Sequence, residues 1–197
     1  MKSFIGLLPL ALLFSGAATR PAPPVAEYLS MPGPIRVGTT DFKLAWSAHP
    51  TPNYYKQEYV PAKETVEQYS QMVLVEVVLG DLTVRDAVQA QISTIEARKA
   101  TDALAGYQLM ENPDSGEMML ESVLSAGPAA SPSVVEWNIN RYRRFQDKSG
   151  RQGVLLFAIS KRGYGAQTPT FLASMNAQRA AAVQTLAAYK IPAVAVK

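Results

Sequence analysis

The stretch Gln71-Met72-Val73-Leu74-Val75-Glu76-Val77-Val78-Leu79 organises the rest of the chain. Val73, Val75, Val77 and Leu79 fall on one side of an extended backbone, and Met72, Leu74 and Val78 on the other. Apolar residues at both parities read as a central strand covered on both faces, because a strand with one solvated face alternates instead. Glu76 is its only charge, and a buried carboxylate needs a partner. An arginine from an adjacent strand, or Arg179, is the expected one.

Upstream, Tyr54 to Val60 reads as a strand that places Tyr55, Gln57 and Tyr59 together and ends at Pro61. Residues 65–70 read as one helical turn. Phe42, Leu44 and Trp46 alternate with Lys43 and Ala45, and the run Ser47 to Asn53, with Pro50 and Pro52, reads as a turn. Downstream, Thr83 followed by Asp86 resembles a capping box and opens a helix to about Arg98, with Val84, Val88, Ile92 and Ile95 at helical spacing. Residues 106–112 and 117–124 flank Pro113-Asp114-Ser115-Gly116 as a hairpin, and 134–145 and 153–160 form a second one. Thr168 as cap and Pro169 at the first position open a helix that reaches about Tyr189, and 193–196 adds an edge strand. Short hairpin links imply antiparallel pairing. The expectation is an α+β fold, an antiparallel sheet of about six to seven strands flanked by two amphipathic helices.

The chain has 197 residues, 48% hydrophobic and 18% charged, which suits one domain with a buried core and argues against wholesale disorder. It has no Cys and one His. That excludes disulfides, thiolate metal sites, iron–sulfur clusters and thiol nucleophiles. Residues 1–18 read as a signal peptide: Lys2 is followed by an apolar run from Phe4 to Phe14 and small residues from Ser15 to Ala18. Pro21, Pro23, Pro24, Pro32 and Pro34 mark 19–34 as a proline-rich extended leader, and 35–197 as the single domain. The expected location is periplasmic or secreted. No later apolar run is long enough to cross a membrane, so an integral membrane protein is not expected.

The passage Tyr54-Tyr55-Lys56-Gln57-Glu58-Tyr59-Val60-Pro61-Ala62-Lys63-Glu64-Thr65, followed by Gln68-Tyr69-Ser70-Gln71-Met72-Val73, resembles a motif of small uncharacterised exported bacterial proteins. In those, a strand ends in a Tyr-x-Pro-x-Gly/Lys-x turn, and an aromatic residue, usually Trp and here Tyr69, precedes the next long strand. The resemblance implies a PsbP-like α/β/α sandwich, an exported compartment and an accessory binding role. It brings no catalytic residues with it.

Motifs for group-transfer chemistry are absent. Gly163-x-Gly165 lacks the third glycine and the lysine of a phosphate loop, and no G-x-S-x-G elbow occurs. His49, between Ala48 and Pro50, reads as a solvated turn residue. Asp114 and Glu117 read as turn acids and not as a metal site. No catalytic residue, metal or cofactor is expected. Glu58, Glu76, Glu121 and Glu136 keep open the alternative of a small carboxylate-based hydrolase or ligand-processing enzyme, which needs two acids about 5–10 Å apart across a cleft. The sharper signal is charge. Between residues 141 and 162, Arg141, Arg143, Arg144, Lys148, Arg151, Lys161 and Arg162 face Asp147 alone, with Tyr142 and Phe145 interleaved. A basic hairpin on an otherwise acidic domain points to a non-enzymatic binding or accessory protein of the cell envelope. Its candidate binding residues are those seven cations and Tyr142, and its partner an envelope protein or anionic envelope component. Nucleic acid is not an expected partner of an exported protein. Arg141 and Arg143 share parity with Trp137 and Ile139, so on a regular strand they leave the core face and need carboxylates or a cleft.

Overall fold

The structure, a computed structural model, describes residues 25–197. The expected signal peptide and the first part of the expected proline-rich leader lie outside the described residues. In chain order the elements are β1 (Ile35–Val37), β2 (Thr40–Thr51), β3 (Tyr54–Pro61), β4 (Gln71–Leu79), α1 (Val84–Arg98), β5 (Gly106–Glu111), β6 (Met118–Ala126), β7 (Val134–Gln146), β8 (Gln152–Tyr164) and α2 (Thr168–Ala188). All eight strands join one antiparallel sheet in the order β1-β2-β3-β4-β8-β7-β6-β5. Two four-stranded meanders therefore meet where β4 pairs with β8, and the apolar stretch Gln71–Leu79 lies at that seam.

This corrects the expected architecture. A PsbP-like sandwich on six to seven strands does not form; the sheet has eight strands and curls into a half-barrel with two helices. Two features of β1 and β2 account for much of the difference. A three-residue strand such as β1 carries no period to detect, and its link to β2 is a two-residue turn with Gly38 at φ +59°. β2 runs on through Pro50 to Thr51. It can do so because β1 covers only Thr40–Phe42, so the outer side of β2 needs no N–H from Pro50. Register shifts lie between Leu44 and Trp46 and between Ala48 and Thr51. Such bulges bend and twist a strand, which favours curling. Residues 65–70 hold no helix, and Gln167, not Thr168, caps α2.

The two helices pack on opposite faces. Leu186 of α2, with Phe171, Met175 and Val183 beside it, covers Trp137, Ile139, Leu155 and Phe157. Val84, Val88, Ile92 and Ile95 of α1 cover Met118, Leu120, Tyr142 and Val154. Each fully buried aliphatic or aromatic side chain contributes about 1.5–3 kcal/mol. Glycines permit two close approaches: a Cβ on Gly153 would stand 2.0 Å from the Val78 carbonyl oxygen of β4, and one on Gly163 would stand 2.5 Å from Phe171 of α2.

The chain ends complete the α2 face. Leu29 and Met31 are buried core. Gln57, also buried, accepts from the Tyr28 and Leu29 N–H groups at 2.6 and 2.9 Å and donates to the Met31 carbonyl. Residues 193–196 form no strand; two backbone bonds, Ala195 to Leu29 and Lys197 to Tyr28, lay the tail beside this segment.

Candidate functional site

β7 and β8 pair without a register shift. Odd residues of β7 therefore face α2 and even residues face α1. The hairpin cations divide between both faces and both ends of the ladder. Arg144 pairs across from Val154 near the tip, whereas Arg162 pairs across from Glu136, eight β7 residues away, about 27 Å along the strand.

Three of the cations are engaged. Arg141, on the core face as parity requires, donates to Glu117 at 2.7 Å and to the Leu186 and Tyr189 carbonyls at 3.0 and 2.8 Å. It thereby satisfies carbonyls that the end of α2 would leave open. Arg151 donates to Asp147 at 2.7 Å and to the Val196 carbonyl at 2.6 Å. Arg162 donates to Glu136 at 2.6 Å and lies over the Tyr69 ring, 4.3 Å from its centroid. Tyr142 is buried beneath α1. The other four cations make no ion pair among the described residues. Lys161 sits over Trp137 at 5.3 Å, and partial burial lowers its pKa. Arg143 is half-buried, and desolvation there exceeds the opposing pull of Glu117 and also lowers its pKa. Arg144 and Lys148 sit nearer the tip; Arg144 is exposed and Lys148 is exposed beside it. Arg144 and Lys148 are thus exposed cations without an ion-pair partner toward the hairpin tip, while Arg143 leaves the opposite face of β7 half-buried near Glu117.

The α1-side face holds polar residues that pattern reading did not assemble. The bulge at Ala45 turns Trp46 away from Phe42 and Leu44. It pairs with Glu58, where an unshifted ladder would give Gln57, and stands 40% exposed. Lys56 Nζ lies 2.9 Å from Glu58 and 3.5 Å from Glu76, with those side chains 17%, 8% and 10% exposed, and 5.9 Å from the Trp46 ring centroid. Burial acts to lower the Lys56 pKa, but Glu76 and Glu58 offset it and leave it raised. The Tyr54 hydroxyl donates to Glu76 at 2.9 Å, and burial with Glu76 beside it raises its pKa. Glu76 is therefore partnered by Lys56 and Tyr54. Arg179 instead donates to Glu121 at 2.7 Å. At the far end of this face the Tyr69 hydroxyl donates to Glu136 at 3.0 Å and lies 3.0 Å from the Ser160 hydroxyl, while the Tyr164 hydroxyl bonds the Tyr69 backbone N–H and carbonyl. Tyr69, the aromatic residue of the sequence motif, anchors the loop before β4.

The four strand glutamates considered for hydrolysis are thus held by Lys56, Arg179 or Arg162. His49 lies on β2, not in a turn, and stacks on Tyr55 with centroids 4.0 Å apart. Among the described residues no group of three or more His, Asp or Glu is placed to hold a metal ion, and no helix is long and apolar enough to cross a membrane. An open recess lies beside the hairpin tip, among Asn53, Gly80, Gly150 and Arg151.

No curated protein and no solved structure matches the chain. A family model matches residues 29–191, a span that holds all eight strands and both helices. The match is to an uncharacterised family, with no PsbP-like match shown, and the chain belongs to that family.

Proposed function

We propose that the protein is an exported, non-enzymatic binding or accessory module of the bacterial envelope, and that the tip of the β7–β8 hairpin holds an anionic envelope component. The observation that carries this reading is the division of the hairpin charge. Arg141, Arg151 and Arg162 are bonded to acids and backbone carbonyls. Arg144 and Lys148, exposed toward the tip, have no ion-pair partner among the described residues. A cation paired at home has little charge to offer a partner; unpaired exposed cations attract anions and raise their rate of encounter. Export is supported by the sequence of residues 1–18.

Retention on phosphatidylglycerol vesicles, compared with phosphatidylcholine vesicles, tests the reading. Arg144→Glu with Lys148→Glu is expected to abolish retention and leave the fold intact, and retention of the native chain is expected to fall steeply with salt. Equal retention of native and variant chains, or retention indifferent to salt, would remove the proposal.

A further inference from the structure

The sheet has two edges, and they are built differently. At one end β1 is three residues long, and β2 beyond it carries Lys43, Pro50 and two register shifts. Short strands, lysine, proline and bulges are the usual means by which an exposed edge avoids pairing with another chain. At the other end β5 runs Gly106-Tyr107-Gln108-Leu109-Met110-Glu111, with no proline, no lysine and no register shift against β6. Among the described residues β5 has no strand on its outer side.

The direction of its backbone groups follows from the link to β6. The Asn112 N–H donates to the Glu117 carbonyl at 2.9 Å, so Asn112 faces β6, and by alternation so do Met110, Gln108 and Gly106. The N–H and C=O groups of Tyr107, Leu109 and Glu111 therefore point outward. The side chains of these three residues lie on the α1 side. Arg85 of α1 holds Glu111 at 2.8 Å, Leu109 packs against the α1 core cluster, and Lys99, at the end of α1, sits 5.1 Å from the Tyr107 ring centroid. Tyr107 is 38% exposed and Leu109 is half-buried, so the edge offers apolar surface as well as backbone.

We propose that β5 joins a second copy of this chain through an antiparallel β5–β5 ladder with Leu109 on the two-fold axis. A second copy is the occupant because the edge is complementary to itself. Centring the pair on Leu109 sets Leu109 against Leu109, and Tyr107 against Glu111 of the second copy. This register uses all three outward-facing residues, and about six backbone hydrogen bonds then join the two edges. Charge agrees with it. Glu111, already beside Arg85, comes next to the Tyr107 ring and Lys99 of the second copy, so each carboxylate lies between a cation of its own chain and one of the other. Leu109 carries the α1-side core across the axis from one copy to the next. An edge of this length lies toward the small end of stable interfaces, so a dissociation constant on the order of 10 µM is expected.

Sedimentation velocity of the chain without its expected signal peptide, from about 1 to 300 µM, should show monomer converting to dimer. Leu109→Lys sets like charges against each other on the axis and should raise the dissociation constant about tenfold or more, with circular dichroism used to check the fold. Cysteine variants read the register even where that variant folds poorly, because the native chain has no Cys. Leu109→Cys should cross-link to itself on mild oxidation, since a hydrogen-bonded antiparallel pair holds its Cα atoms about 5.5 Å apart. Tyr107→Cys should cross-link to Glu111→Cys when the two chains are mixed and not to itself, its own copies being about 14 Å apart. A monomer at every concentration, a folded Leu109→Lys chain that dimerises as tightly as the native one, or Tyr107→Cys that links to itself as readily as to Glu111→Cys would each overturn the proposal. The last two results would assign the dimer to another surface or register.

Discussion

Replacing Lys56 by Met tests the charge cluster at the heart of the α1-side face. Lys56 is the cation that both Glu58 and Glu76 approach, at 2.9 and 3.5 Å, and all three side chains are at least four-fifths buried. Methionine fills a similar volume but leaves two carboxylates close together without a counter-charge. Removing one partner of a buried ion pair costs about 3–5 kcal/mol, mainly because a charge is left desolvated and uncompensated. For a chain of this size each kcal/mol is roughly 2–4 °C, so melting should fall by roughly 6–20 °C. Urea unfolding followed by circular dichroism gives the free energy directly. The companion variant carries Lys56→Met, Glu58→Gln and Glu76→Gln together. It removes the stranded charges, while the amide oxygen introduced by Glu76→Gln can still accept from Tyr54, and it should recover most of the loss. The pH dependence has a defined sign. The folded pKa of Lys56 is raised, so its contribution is complete below the unfolded value near 10.4 and is lost as pH rises through the folded value. On the basic side, the gap between native and Lys56→Met chains should therefore persist up to strong alkali. A single variant within about 1 kcal/mol of the native chain, or a triple variant less stable than the single one, would refute the reasoning.

Two other substitutions probe buried anchors. Asp102 accepts from the Ser125 hydroxyl and N–H and from the Leu104 N–H at 3.0 Å; burial opposes ionisation, but these bonds and Arg98 hold its pKa below the usual carboxylate value. Its stabilisation is present above the unfolded pKa and is lost as pH falls through the lower folded one, so Asp102→Asn should cost about 2 kcal/mol at neutral pH and flatten acid unfolding, measured as urea midpoints between pH 7 and pH 2. Arg141→Ala strips Glu117 and two carbonyls at the end of α2 of their donor and should cost about 2–4 kcal/mol, with the greatest loss of amide-exchange protection in the last turn of α2; a native exchange pattern would count against its capping role.

What the sequence made legible was local period. The β4 stretch, the strand at 54–60, both later hairpins and α1 with its Thr83–Asp86 capping box were readable because pattern and turn chemistry lie within a few residues. β1 was too short to show a period. The end of β2 was masked by Pro50 and Pro52, which are turn residues unless the strand edge is free. The bulge at Ala45 was also hidden, since one extra residue moved Trp46 from the expected core face to the α1-side face, where it is exposed. Side-chain partners were legible only where they were short-range. Lys56 and Glu58 share a face two residues apart, whereas Tyr69–Glu136 and Arg179–Glu121 span 67 and 58 residues and depend on strand order. The parity of β7 did place Arg141 on the core face with a carboxylate partner. The same strand order shows why the hairpin charge, continuous in sequence, is not one patch in space.

The measurement that bears most directly on the proposed function compares paired with unpaired cations. Arg141→Glu with Arg162→Glu, and Arg144→Glu with Lys148→Glu, change the charge by the same amount on the same hairpin. Melting temperature and retention on phosphatidylglycerol vesicles are recorded for both. The account predicts that the first pair lowers melting sharply, and that the second leaves melting within a few degrees of native and abolishes retention. Retention that survives in the second pair would contradict it.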